Sequence, residues 1–173
     1  MNSKTKFVII KYCSYGLLAV VLCVMQNTPG LFALWGIKPM TAAAFAIVVA
    51  MFEGEFAGGL FGAFAGFLCD LYSSDKTGYT ALMLFVCCVA VGLAVQTFMQ
   101  PVPANCVLFT FLAMVFIRGV SFFFGFYLPG YEDPGLFFLT GVLPLCLYTA
   151  LAAFLFYYPV RGLHRAFEAR MQF

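Results

Sequence analysis

Ala81-Leu-Met-Leu-Phe-Val-Cys-Cys-Val-Ala-Val-Gly-Leu-Ala-Val95 is apolar at every position apart from Gly92. A strand of a membrane β-barrel alternates apolar and polar residues, so this run reads as a helix surrounded by lipid or by other helices. The rest of the chain has the same character. Of its 173 residues, 64% are apolar and 9% charged, against ~45–50% and ~25% in a soluble domain. Nine Lys+Arg and seven Asp+Glu cannot cover a water-soluble globule of this size. Disordered chains are rich in charge and poor in aromatics, so that class is excluded as well. What remains is an all-α polytopic membrane protein, read as a single integral membrane domain over 1–173.

Working outward from that run, the breaks in the apolar pattern predict six transmembrane helices, at about 7–25, 37–52, 54–72, 79–99, 104–128 and 136–158. The first follows Lys4 and Lys6, as a signal peptide would. It lacks a small-x-small cleavage site before Pro29 and is interrupted by Lys11, so it is read as a retained helix with Lys11 snorkelling to the interface. Asn27-Thr-Pro-Gly30, the short polar corner Glu53-Gly-Glu55, Pro101-Val-Pro103 and the loop Pro129–Gly135 separate later spans. Pro39 suits a first helical turn, and Pro144, one turn after Gly141, is expected to kink the sixth span as a packing device.

An even number of spans puts both termini on one side. That side collects Lys4, Lys6, Lys11, Arg161, Arg165 and Arg170, while the other holds Lys38 and Lys76. Short cytoplasmic loops carry the excess of Lys and Arg, so both ends are predicted to be cytoplasmic. Tyr157 and Tyr158 would form the inner aromatic belt, with Tyr72, Tyr79 and Tyr131 at the outer interface. Residues 159–173 form a basic cytoplasmic tail. Leu163, Phe167 and Met171 are spaced for an amphipathic helix, but short isolated helices are marginal, and a frayed end that fixes topology is the preferred reading.

The least generic pattern is a ladder of four-residue steps: Gly54, Gly58, Gly62, Gly66 and then Asp70. Small residues at this spacing let helix backbones approach closely in lipid. The ladder is read either as an internal helix contact, the simpler option, or as an interface with another protein. Ala42, Ala46 and Ala50 continue the spacing in the preceding span, which predicts a tight hairpin of the second and third spans. Asp70 and Arg118 are charges inside spans, each costing ~2.5–3.5 kcal/mol at the bilayer centre. They are candidates for an intramembrane ion pair; the alternative is that Arg118 lines a polar cavity.

Little points to catalysis. The single histidine, His164, lies in the tail, and most of the seven cysteines sit in apolar runs, where Cys acts as a small hydrophobe. The pairs Glu53/Glu55 and Glu132/Asp133 fall in predicted turns and are read as solvated. No metal or cofactor is implied, and the expectation is that the protein is not an enzyme.

The stretch Gly62–Leu82, with its run Gly-x-x-x-Gly-x-x-x-Asp, a short polar loop, and Gly-x-x-Ala-Leu opening the next helix, resembles the rod shape-determining protein MreD family. The resemblance implies a multi-pass subunit of the bacterial plasma membrane, in the cell-elongation machinery that places peptidoglycan synthesis. Its implied partners are the MreC scaffold, MreB, a RodA-type glycosyltransferase and a transpeptidase, with no nucleic acid. It also implies a six-helix fold similar to the substrate-binding subunits of energy-coupling-factor transporters, and it singles out Gly62, Gly66, Asp70 and Gly78. The competing reading is a vitamin-binding transporter subunit of that type. Against it, the first helix lacks an Ala-x-x-x-Ala docking pattern, and Arg118, Asp70, Gln96 and Asn105 are a thin set of polar ligands. A plain membrane-anchoring or lipid-interacting protein is a third class.

Overall fold

A computed structural model of the chain describes residues 3–28, 37–72, 78–128, 135 and 138–171. They form six α-helices, with no strand among the described residues: α1 (Ser3–Asn27), α2 (Thr41–Glu53), α3 (Glu55–Leu71), α4 (Tyr79–Thr97), α5 (Pro103–Phe122) and α6 (Leu143–Met171). A π-helical turn extends α5 over Phe123–Tyr127, and another, Phe138–Val142, leads into α6. The expected loop at 129–134, with Tyr131 and Glu132/Asp133, lies outside the described residues, as do Pro29, Gly30, Lys76 and the side chains of Lys4 and Arg170.

Four segments are long and apolar enough to cross a membrane: Lys6–Asn27, Tyr79–Thr97, Pro103–Gly125 and Phe138–Glu168. With the helices around them, they make a multi-pass membrane protein. The other two helices are shorter. At ~1.5 Å per residue, the 13 residues of α2 reach about 20 Å, and the 17 of α3 about 26 Å.

Helix α2 is the axis of the bundle. Thr41-Ala-Ala-Ala-Phe-Ala-Ile-Val-Val-Ala-Met51 has no polar face, and every one of these residues is buried. A helix that is apolar all round belongs in the interior, and α2 touches each of the other five helices. No side chain of its own caps its N-terminus. Gln26 of α1 accepts the Ala42 N–H at 3.2 Å, and Thr149 of α6 accepts the Met40 N–H at 3.2 Å. Those backbone donors would otherwise be left open at the helix start. Tyr15, Phe45 and Phe61 meet edge-on beside this axis, with centroids 5.8–6.3 Å apart. The outward faces of α1, α3 and α6 are apolar and exposed, among them Leu17, Val24, Phe56, Leu60, Leu151 and Leu155, as lipid contact requires.

A π turn over Phe138–Val142, which includes Gly141, leads into α6, and Pro144 sits in the first turn of that helix, where a missing N–H costs little. Two expectations for the last span and tail are corrected. Helix α6 runs through Pro159 to Met171, so the tail is a continuation of the helix and no frayed end begins at 159. Its stability is supplied by packing, because Val160 is buried and Leu163 lies against the core. Tyr157 does not stand in an aromatic belt. It is 1% exposed, and its hydroxyl donates to the Pro101 carbonyl.

Candidate functional site

The glycine ladder divides into a corner and a seam. Gly54 lies outside α3, at the turn between α2 and α3, with φ +85°. A side chain there would be strained, and the two helices fold back on one another. Gly58 then faces α2: a Cβ on it would come 2.5 Å from the Ala50 Cα. Gly62 and Gly66 face α4, where a Cβ would meet the Leu84 carbonyl oxygen at 2.9 Å and the Ala81 Cα at 2.5 Å. From the opposite side, Gly92 of α4 leaves room for the Glu55 backbone, 2.6 Å from its own virtual Cβ. The ladder is therefore an internal seam, and these positions are not available to another protein. The expected α2–α3 hairpin is present, with Ala50 opposite Gly58.

Asp70 ends the seam as a backbone clamp. Its Oδ2 accepts the N–H groups of Gly78 at 3.0 Å and Ala81 at 3.1 Å, and its Oδ1 that of Thr80 at 3.3 Å. A carboxylate at a helix N-terminus satisfies orphan donors and faces the positive end of the helix dipole. Gly78 has φ +91°, the left-handed conformation natural to glycine, and this turns its N–H toward Asp70. The expected Asp70–Arg118 ion pair does not form; the carboxylate faces the start of α4. Arg118 instead sets Nη2 at 2.8 Å from Met40 Sδ, and its Nε is sealed from solvent without a partner. It lines a cavity of about 250 Å³ together with Gln26, Asn27, Lys38 and Thr80, which is the alternative left open by the sequence.

At the opposite end of the bundle is a charge cluster that the sequence reading missed. Glu53 is not solvated: its side chain is 5% exposed. Lys11 Nζ lies 2.6 Å from Glu53 Oε1, and His164 Nδ1 lies 2.9 Å from the same oxygen. The hydroxyls of Tyr15 and Tyr12 donate to the carboxylate at 3.2 and 3.4 Å. Lys11 is 5% exposed, so it does not snorkel. His164 also contacts Glu168 at 3.3 Å. A buried ion pair with saturated hydrogen bonding positions the groups that make it more than it adds net stability. Here it fixes α1, α2 and the extension of α6 to one another. Two signals were available in the sequence: Lys11 interrupts an apolar run, and His164 is the only histidine. Of the remaining basic residues, Arg161 rests over the Tyr157 ring at 5.7 Å, while Lys6 and Arg165 are exposed.

With this geometry in place, comparison with protein families decides the assignment. The family model for rod shape-determining protein MreD matches residues 5–167, nearly the whole chain. The chain belongs to the MreD family. In this MreD-family chain the match takes in α2 to α5 whole, all but the outer ends of α1 and α6, the seam, the Asp70 clamp, and Glu53 with Lys11 and His164. No curated protein and no solved structure matches the chain, so the expected likeness to energy-coupling-factor subunits finds no support.

Proposed function

We propose that the protein is a non-catalytic subunit of the bacterial cell-elongation machinery, resident in the inner membrane with both termini cytoplasmic, and that it holds an MreC-like scaffold. The observation that carries this reading is the MreD family match over residues 5–167. Through the scaffold the protein works beside MreB filaments, a RodA-type glycosyltransferase and its transpeptidase. The orientation is supported by the six basic residues on the side of the two termini.

Because the glycine ladder is enclosed, the scaffold takes a different small-residue surface. The flank between α1 and α3 carries an apolar groove of about 450 Å³, lined by Tyr12, Gly16, Phe56, Ala57, Leu60 and Phe64. A Cβ on Gly16 would meet nothing within 4 Å, so the groove is open there. A membrane helix of the scaffold can approach closely over Gly16 and Ala57, with the phenyl rings as walls. In a rod-shaped host, depletion of the protein is expected to give rounded cells. Cells that keep their shape on depletion refute the role.

A further inference from the structure

The cavity around Arg118 holds a largely enclosed cation that no acidic side chain among the described residues pairs with. Among the described residues, its lining holds two cations, Arg118 and Lys38, and no acidic residue. The nearby carboxylate, Asp70, is committed to three backbone N–H groups. A guanidinium offers five N–H donors. Arg118 places one on a thioether sulfur, a weak acceptor, and its Nε has none. Ion pairs among the described residues gather on Glu53 and His164, at the other end of the molecule.

The position of the cavity adds to this. It is built from the end of α1, the approach to α2, the end of α3 and the first turn of α4. Helices α1 and α4 are each long enough to span, so the end of α1 and the start of α4 lie near the depth of the lipid headgroups. The N-termini of α2 and α4 both point their positive dipole ends toward this region. Its volume is below the ~300 Å³ at which sites for drug-sized ligands begin, which suits a single small group.

We propose that this cavity binds a phosphate-bearing anion, with the Arg118 guanidinium as the principal donor, Lys38 as the second cation at the exposed rim, and Thr80 and Asn27 as neutral neighbours. Two sources share this chemistry: the headgroup of an anionic phospholipid, and free phosphate. An anion here supplies the acceptors that the guanidinium lacks, and a cation seated in an apolar bundle is otherwise costly.

The test uses the full-length protein in detergent and native mass spectrometry. It is titrated separately with phosphatidylglycerol, with net-neutral phosphatidylcholine and with inorganic phosphate. Wild type is expected to retain phosphatidylglycerol or phosphate at concentrations where phosphatidylcholine is lost. Arg118→Met is expected to weaken that binding about tenfold or more, from loss of charge-assisted hydrogen bonds. Retention of phosphatidylglycerol alone assigns the site to a headgroup, and retention of phosphate assigns it to the free anion. If Arg118→Met does not fold, Lys38→Gln at the rim takes its place, with a several-fold loss expected. Equal retention of phosphatidylcholine, no adduct in any arm, or adducts unchanged in a folded variant overturns the proposal.

Discussion

Gly66→Ala adds one methyl group at the tightest point of the α3–α4 seam. Its Cβ would lie 2.5 Å from the Ala81 Cα, 2.8 Å from the Ala81 nitrogen and 2.8 Å from the Thr80 carbonyl oxygen. All three are backbone atoms, so no rotamer change relieves the clash. Ordinary carbon–carbon contact is ~3.5–4.0 Å, so α3 and α4 must separate by about 1 Å. Overpacking of this kind costs about 1–3 kcal/mol. The separation also pulls Asp70, one turn along, from donors it now holds at 3.0–3.3 Å, and weakening hydrogen bonds to a charged group adds about 1.5–3 kcal/mol. A total of about 2.5–6 kcal/mol corresponds to a fall in melting temperature of at least about 5 °C for a chain of this size. The six buried cysteines make the assay direct, because a thiol-reactive dye reports their exposure on heating in detergent. Gly16→Ala, in open space, is the control. A Gly66→Ala protein that melts within about 1 °C of that control refutes the seam.

Asp70→Ala leaves three backbone donors at the start of α4 without their acceptor. It is expected to destabilise the protein by about 2–4 kcal/mol, with faster amide exchange confined first to Gly78–Ala81. Glu53→Gln strands Lys11, which is 5% exposed, and is expected to cost about 3–5 kcal/mol. Adding Lys11→Met should recover much of that loss in the same melting assay, and a double variant no better than Glu53→Gln would show that the pair is uncoupled. Of the seven cysteines only Cys13 is exposed, so a small maleimide should modify one thiol in the folded protein and seven after denaturation, as counted by intact mass.

What the sequence made legible was what depends on spacing along one helix. The four-residue glycine step and the alanines of α2 pointed to a close hairpin, because a helix face is a short-range property of the chain. The partners of the charged residues were less accessible. Asp70 meets N–H groups that every residue carries, so nothing in the residue types near Gly78 advertised the clamp, and Arg118 was the only visible counter-charge. Lys11 and His164 are separated by 153 positions, and only the folding of α6 through Pro159 brings them to Glu53. The rule that proline ends a helix truncated α6 on paper, and with it the cluster. Pro39 suggested an earlier start for the second span, but α2 begins at Thr41, where Gln26 and Thr149 from other helices receive its backbone donors. Caps supplied from a distance leave no local mark.

In the proposed arrangement an enclosed glycine seam holds the bundle, while the open flank between α1 and α3 receives the scaffold. Copurification of the MreC-like scaffold with Gly16→Leu protein from its native membrane tests it most directly. The Gly16→Leu side chain intrudes on the floor of the groove of about 450 Å³ without touching the seam. Wild type is expected to carry the scaffold, and the variant to lose it while keeping the wild-type melting temperature. A folded variant that retains the scaffold in full, or a wild type that never carries it, contradicts this arrangement.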